Sequence, residues 1–377
     1  MLRIVTLYTF ILICNSQSLS NGVNEVANSF VDLSSALHAL LNKVPVNRKY
    51  DYCFGNYTNG FNGFINHMTG LLPMSPNQMD VKFLLFTCNN RDNSQNLTYL
   101  SQPNEWTAAG FNISARTKFI VHGWLEKYPG GIQSDWYNWM EQMKNVILNN
   151  SCANVVAIDW YKPASTSYLI QSVSNTKIVG QMIGCVINRL SANLGVDPQD
   201  IHLIGHSLGS HVVGFAGKHV TNPNVGHITA TDPAGPGFIG QPPHNRLAVG
   251  DASFVSVIHT NGIPINGLPV IQGQGYSEAL GNIDAYVNGD VKKKILCNHI
   301  RSNYYAITDQ SDPQSTGCQP IAYKCDSYDN FLRGLCADGS DSLPMELDLN
   351  YWDNKSNWDT TDTNNKYYIN TGNVLEP

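Results

Sequence analysis

The sequence predicts an α/β fold, with a mostly parallel sheet and helices on both of its faces. Three observations carry that expectation. From residue 81 onward, short apolar runs alternate with longer stretches of helical periodicity. Several runs, such as Val155-Val156-Ala157-Ile158, are apolar on both faces, as strands are when both sides of a sheet are covered. A chain of 377 residues is also long enough to build one large α/β domain with a deep core.

In chain order, Arg3 precedes an apolar stretch over 4–14 and small polar residues over 15–20. This reads as a secretory signal peptide over 1–18, cut near Ser18. The stretch is too short to span a membrane, and no second one occurs, so no transmembrane segment is expected. Residues 19–75 read as an N-terminal extension. In it Val26, Phe30, Leu33, Leu37, Leu40 and Leu41 recur at helical spacing until Pro45, and a loop rich in Gly, Asn and aromatics covers 50–70. The helical stripe either packs on the main domain or touches lipid. The main domain is expected over 76–377.

Within it, strands are predicted over 81–87, 118–122, 155–159, 201–204, 227–231 and 254–259. Helices are predicted over 132–148, with Trp136, Trp139, Met143 and Ile147 on one face, over 178–194, and over 207–220. No internal repeat is visible.

Composition narrows the function. The net charge is −6, and the longest basic run is Lys292-Lys293-Lys294, which argues against nucleic acid as a partner. Of nine cysteines, Cys14 falls in the signal; the remaining eight suit disulfides in an oxidising compartment. Asn56, Asn96, Asn112, Asn149 and Asn354 begin glycosylation sequons. The expected product is secreted, extracellular and disulfide-bonded.

The chemistry centres on Gly205-His206-Ser207-Leu208-Gly209, which follows a strand and opens a small-residue helix. This is the context in which a G-x-S-x-G serine becomes a nucleophile. Side chains at the two glycines would strike the neighbouring strand and helix. The helix N-terminus favours a developing oxyanion. A serine needs a base, and the base needs an orienting group. The order Ser, Asp, His is that of α/β-hydrolases. Asp232 ends the next strand, in Thr231-Asp232-Pro233-Ala234-Gly235-Pro236, and Asp159 is its rival. For the base, His299 and His259 compete; His206 and His211, beside the serine, read as packing residues.

Further segments bring a family into view. They are Phe119-Ile120-Val121-His122-Gly123-Trp124, Val156-Ala157-Ile158-Asp159-Trp160, the serine turn, Asp232-Pro233-Ala234-Gly235-Pro236, Phe254 to Thr260, and Cys297-Asn298-His299-Ile300-Arg301-Ser302-Asn303-Tyr304-Tyr305. In their order and spacing they resemble the pancreatic lipase family of animals, and short-lid insect lipases and phospholipases A1 in type. The resemblance implies an α/β-hydrolase fold, Ser207 as nucleophile, Asp232 as acid and His299 as base. It also implies an oxyanion hole from the backbone N–H groups of Trp124 and Leu208, and a disulfide between Cys325 and Cys336. Cys53, Cys88, Cys152 and Cys185 are left unassigned, and Cys318 is a candidate partner for Cys297.

The chain departs from that family in three ways. It stops at Pro377, close after the stretch that resembles the end of the catalytic domain, so no C-terminal β-sandwich and no colipase partner are expected. Only residues 290–296 separate Asn288-Gly289 from Cys297, too few to fold back as a covering lid. Within the family a short lid accompanies phospholipase A1 activity, whereas the loop over 238–251 keeps the length found in triacylglycerol lipases. Where relatives bind structural calcium, Pro243 and Ala248 replace two positions, and Arg246 and Asp251 persist. No metal and no cofactor are expected.

The reading is a secreted serine lipid-ester hydrolase, a phospholipase A1 releasing the sn-1 fatty acid at a membrane or lipid-droplet surface. A lidless triacylglycerol lipase is the alternative substrate class. A non-catalytic lipid-binding protein of yolk type is the alternative of another kind.

Overall fold

The computed structural model describes residues 50–51, 53–56, 73–129, 138–166, 168–220, 222–261, 275–287, 295–307, 322–336, 354–355, 358 and 365–369. The signal peptide, the helix expected over 26–41, Trp136, residues 290–294 of the short lid segment and Cys318 lie outside them.

A two-stranded hairpin of β1 (Tyr50–Asp51) and β2 (Gly55–Asn56) precedes the main body. There follow α1 (Pro76–Met79), β3 (Lys82–Phe86), β4 (Gln95–Leu97), α2 (Pro103–Ala108), β5 (Thr117–Val121), α3 (Trp139–Asn150), β6 (Asn154–Asp159), α4 (Tyr161–Ala164) and α5 (Leu169–Leu194). The second half carries β7 (Ile201–His206), α6 (Leu208–His219), β8 (His227–Thr231), β9 (Phe254–His259), β10 (Ile283–Val287), α7 (Ile295–Ile307), β11 (Tyr323–Lys324), α8 (Tyr328–Leu332) and β12 (Asn365–Ile369).

One sheet runs in the order β11-β12-β10-β9-β8-β7-β5-β6-β3-β4. From β12 to β6 every neighbour pairs in parallel, while β11, β3 and β4 join by antiparallel pairing. Side chains two apart share a face of a strand. Phe119, Val121, Val156, Ile158 and Leu203 therefore enter one core with Val179, Ile183, Val212 and Ala216 of α5 and α6. Ile120, Val155, Ala157 and Ile204 enter the other with Met140, Met143 and Ile147 of α3 and Tyr305 of α7. Both faces are covered, which is why β6 runs apolar from Val155 to Ile158, while β7 and β8 also bury His202, His206, His227, Thr229 and Thr231.

Strand order reverses at β5 and β7: β6 lies on one side of β5, and β7 returns on the other. Loops from the carboxyl ends of strands at such a reversal leave a crevice between them.

The helix expected over 178–194 begins nine residues earlier, at Leu169. Its first turns bury Gln171, Ser172, Ser174, Asn175 and Thr176. These side chains find partners instead of apolar neighbours. Ser174 Oγ donates to Ile170 O at 3.1 Å, Thr176 Oγ1 to Val173 O at 2.6 Å, and Asn175 Nδ2 to Pro163 O at 3.0 Å. Hydropathy cannot register a helix face that is polar and buried.

Three disulfides tie the described elements: Cys53–Cys185 pins the N-terminal hairpin to α5, Cys88–Cys152 joins the loop after β3 to the start of β6, and Cys325–Cys336 closes the turn around α8. Asn96, Asn112, Asn149 and Asn354 are exposed. Among the described residues no helix is long and apolar enough to cross a membrane.

Candidate active site

Ser207 stands between β7 and α6 with φ 55° and ψ −117°, a backbone conformation that L-residues seldom adopt. The turn is held from outside. Ser207 N donates to Thr231 O at 3.0 Å, and Ser207 O accepts from Ala234 N at 3.1 Å. A β-carbon at Gly205 would lie 2.7 Å from Ser210 N, and one at Gly209 would lie 2.6 Å from His122 O. Both glycines are therefore steric requirements. Strain kept by its surroundings in this way is a mark of functional turns.

Asp232, at the end of β8, also has positive φ and is fully buried. Its two oxygens divide their work. Oδ1 accepts the backbone N–H groups of Thr260 at 2.9 Å and Asn261 at 3.1 Å. Oδ2 faces His299 Nδ1 at 2.5 Å. An acceptor on Nδ1 places the imidazole proton there and leaves Nε2 as the basic nitrogen. Ser207 and His299 are 7% and 5% exposed, enough for a reacting group to approach while the carboxylate stays dry.

The turn after β5 closes the other side. A β-carbon at Gly123 would lie 2.8 Å from Ser207 Cβ, so Gly123 packs directly on the Ser207 turn, with Trp124 next in the chain. Leu208 is the first residue of α6. Trp124 Nε1 donates to Thr166 O at 3.4 Å.

The rival acids and bases have other partners. Asp159 accepts from Tyr161 N at 3.1 Å and lies 3.6 Å from His122 Nε2. His259 sits on Asp284 Oδ1 at 2.8 Å through Nε2, with Nδ1 at 2.8 Å from Tyr276 O. His211 Nδ1 accepts from Leu247 N at 3.1 Å and its Nε2 faces Ala234 O at 2.9 Å, so it laces α6 to two loops. Burial, foremost, holds His211 down at about 3, and so the ring is neutral.

Sequence reasoning missed Glu126. Its Oε2 accepts from Gly123 N at 3.0 Å and from Trp139 Nε1 at 3.2 Å, and its Oε1 lies 2.9 Å from His206 Nδ1. The available signal was an acidic residue a few positions beyond His122-Gly123, in a chain with a histidine beside the nucleophile. Nothing local pairs the two.

The loop over 238–251 does not fit a divalent cation. Lys218 Nζ donates to Arg246 O at 2.9 Å and to Asp251 Oδ1, and Asp251 Oδ2 accepts from Ala248 N at 2.9 Å. An ammonium of the chain itself thus neutralises the persisting carboxylate, and Pro243 and Ala248 supply no side-chain oxygen. Burial pushes the Asp251 carboxyl up to about 6 against the pull of Lys218. Among the described residues, no group of three or more His, Cys, Asp or Glu side chains is placed to hold a metal.

Comparison with known proteins places the chain. The family profile described as Lipase matches residues 49–375. Pancreatic triacylglycerol lipase of Myocastor coypus is 32% identical over 82% of this chain and 68% of its own length. Pancreatic lipase-related protein 2 of Rattus norvegicus is 34% identical over 75% of this chain and 62% of its own. The inactive pancreatic lipase-related protein 1 of Canis lupus familiaris is 33% identical over 80% and 65%. This chain thus spans about two thirds of the length of these relatives. Among solved structures, an α/β hydrolase from a Medee basin deep-sea metagenome library aligns at TM-score 0.25 and 17% identity, over 51% of this chain and 74% of its own. With a parallel sheet, a strained serine turn at its strand reversal and a family match along most of its length, this chain belongs to the pancreatic lipase family.

Proposed function

We propose that this chain is a secreted serine hydrolase of lipid esters. The observation that carries the reading is the Asp232–His299 pair, with Asp232 also tied to the backbone of the next loop. In it Ser207 attacks the ester carbonyl and His299 Nε2 takes the hydroxyl proton. The N–H groups of Trp124 and Leu208 receive the oxyanion. His299 then protonates the leaving alcohol and activates the water that releases the fatty acid. The disulfides support an extracellular setting. A relative named inactive makes turnover a matter for these residues rather than for membership.

For substrate, the reading is phospholipase A1 activity, releasing the sn-1 chain. The few residues between Gly289 and Cys297 support it, since a short cover leaves room for a charged head group. Triacylglycerol lipase activity is favoured by the retained 238–251 loop and by the first relative's name. The test offers the protein, with Ser207→Ala as control, phosphatidylcholine with distinguishable chains and an emulsified long-chain triglyceride. Release of the sn-1 chain with little triglyceride turnover supports phospholipase A1. The opposite ranking supports a triacylglycerol lipase. Binding of both lipids without hydrolysis overturns the enzymatic reading in favour of a lipid-binding protein.

A further inference from the structure

We propose that Glu126 and His206 form a buried, charged positioning pair that locks the turn after β5 and the backbone of His299 around Ser207. The inference rests on the Ser207, Asp232 and His299 reading. His206 is fully buried, one residue before Ser207, and both of its ring nitrogens face oxygens. Nδ1 lies 2.9 Å from Glu126 Oε1, and Nε2 lies 3.0 Å from His299 O. A neutral imidazole has one N–H and would turn a bare ring nitrogen on one of these oxygens; the imidazolium turns an N–H toward each. The approach of Glu126 is too oblique for a well-formed hydrogen bond, so attraction of charge dominates that contact.

The pair reaches three parts of the site. Through Oε2, Glu126 holds Gly123 N, and Gly123 packs against Ser207 Cβ. Through Nε2, His206 holds the carbonyl of His299, whose ring lies 4.7 Å from its own. Trp139 of α3 closes the pocket, donating to Glu126 and meeting the His206 ring edge-on at 5.7 Å.

Among the described residues, the titratable groups facing His206 are Glu126, His299 and Asp232, and His122 also acts on Glu126. Burial opposes both charges. The attraction of each for the other outweighs it, holding Glu126 down at about 2 and raising His206 above its ordinary value.

The experiment compares Glu126→Gln, Glu126→Asp, Ser207→Ala and the unmodified protein on a soluble p-nitrophenyl ester from pH 5 to 9, with thermal melting alongside. Glu126→Gln is expected to lower kcat about tenfold to hundredfold with KM within about twofold, because misplacement acts on the reacting geometry. Its activity is expected to sag further as pH rises and His206 loses its charge. Glu126→Asp keeps the charge and should keep the unmodified pH profile. Nitrogen NMR of the unmodified protein should show the His206 ring keeping both ring protons to higher pH than an ordinary histidine. A Glu126→Gln protein with unchanged kcat and pH profile, or with a lowered melting temperature alone, overturns the proposal. So does a His206 that gives up its second ring proton no later than an ordinary histidine, which settles the matter even where the variant fails to fold. Turnover by Ser207→Ala would instead overturn the triad reading beneath it.

Discussion

Gly275 stands against the carboxylate of Asp232: a β-carbon there would lie 2.8 Å from Asp232 Cγ and 2.9 Å from Oδ2, the oxygen that faces His299. Gly275→Ala should therefore displace the acid from the base while leaving most of the core untouched. The expected result is a fall in kcat of about a hundredfold with a modest change in melting temperature. An alanine variant with unmodified kcat would show that the pair tolerates displacement.

The candidate site was legible where the constraint is local. Gly205 and Gly209 each lie two residues from Ser207, and the strand and helix they must avoid follow from the motif itself. β6 was legible because burial on both faces leaves the apolar run Val155 to Ile158. The start of α5 was not, because Gln171 to Thr176 bury hydrogen-bonded polar side chains. Glu126 with His206, and Lys218 with Asp251, were not either, since each contact joins a loop to a strand or helix far away in the chain by charge rather than by pattern. Cys53 and Cys185, 132 residues apart, carry no spacing signal at all.

Asp232→Asn keeps the shape of the acid and alters which hydrogens it offers to His299. The amide turns the ring to the wrong tautomer, and kcat should fall by about 10³–10⁴. Steady-state rates on a soluble ester, with melting as a check on folding, give the answer. A loss below tenfold would mean that Asp232 has no orienting role.

Lys218 makes the 238–251 loop independent of added metal. Chelation with EDTA and addition of calcium should each leave the melting temperature unchanged. Lys218→Met should lower stability by about 1–3 kcal/mol, because Asp251 and the Arg246 carbonyl would lose a buried donor. A calcium-dependent rise in the melting temperature of the unmodified protein would contradict this.

His211 predicts sensitivity to acid. In the unfolded chain it takes a proton near 6.5, and in the folded protein only near 3, because burial disfavours the cation. The unfolded state therefore binds more protons between those values. The stability contributed is complete above about pH 6.5 and is lost as pH falls toward 3, at up to about 1.4 kcal/mol per pH unit. Denaturant melts at pH 5 and pH 7 should show a smaller difference for His211→Gln than for the unmodified protein. An equal difference would place the acid sensitivity elsewhere.

The central claim is that Ser207 is a nucleophile activated by His299 and Asp232. Its most direct measurement is reaction of the unmodified protein with a fluorophosphonate, followed by intact mass and peptide mapping. The account predicts one adduct per chain, on Ser207, absent from Ser207→Ala and much slowed in His299→Ala. A folded protein that takes up no adduct, or carries it on another residue, would contradict it.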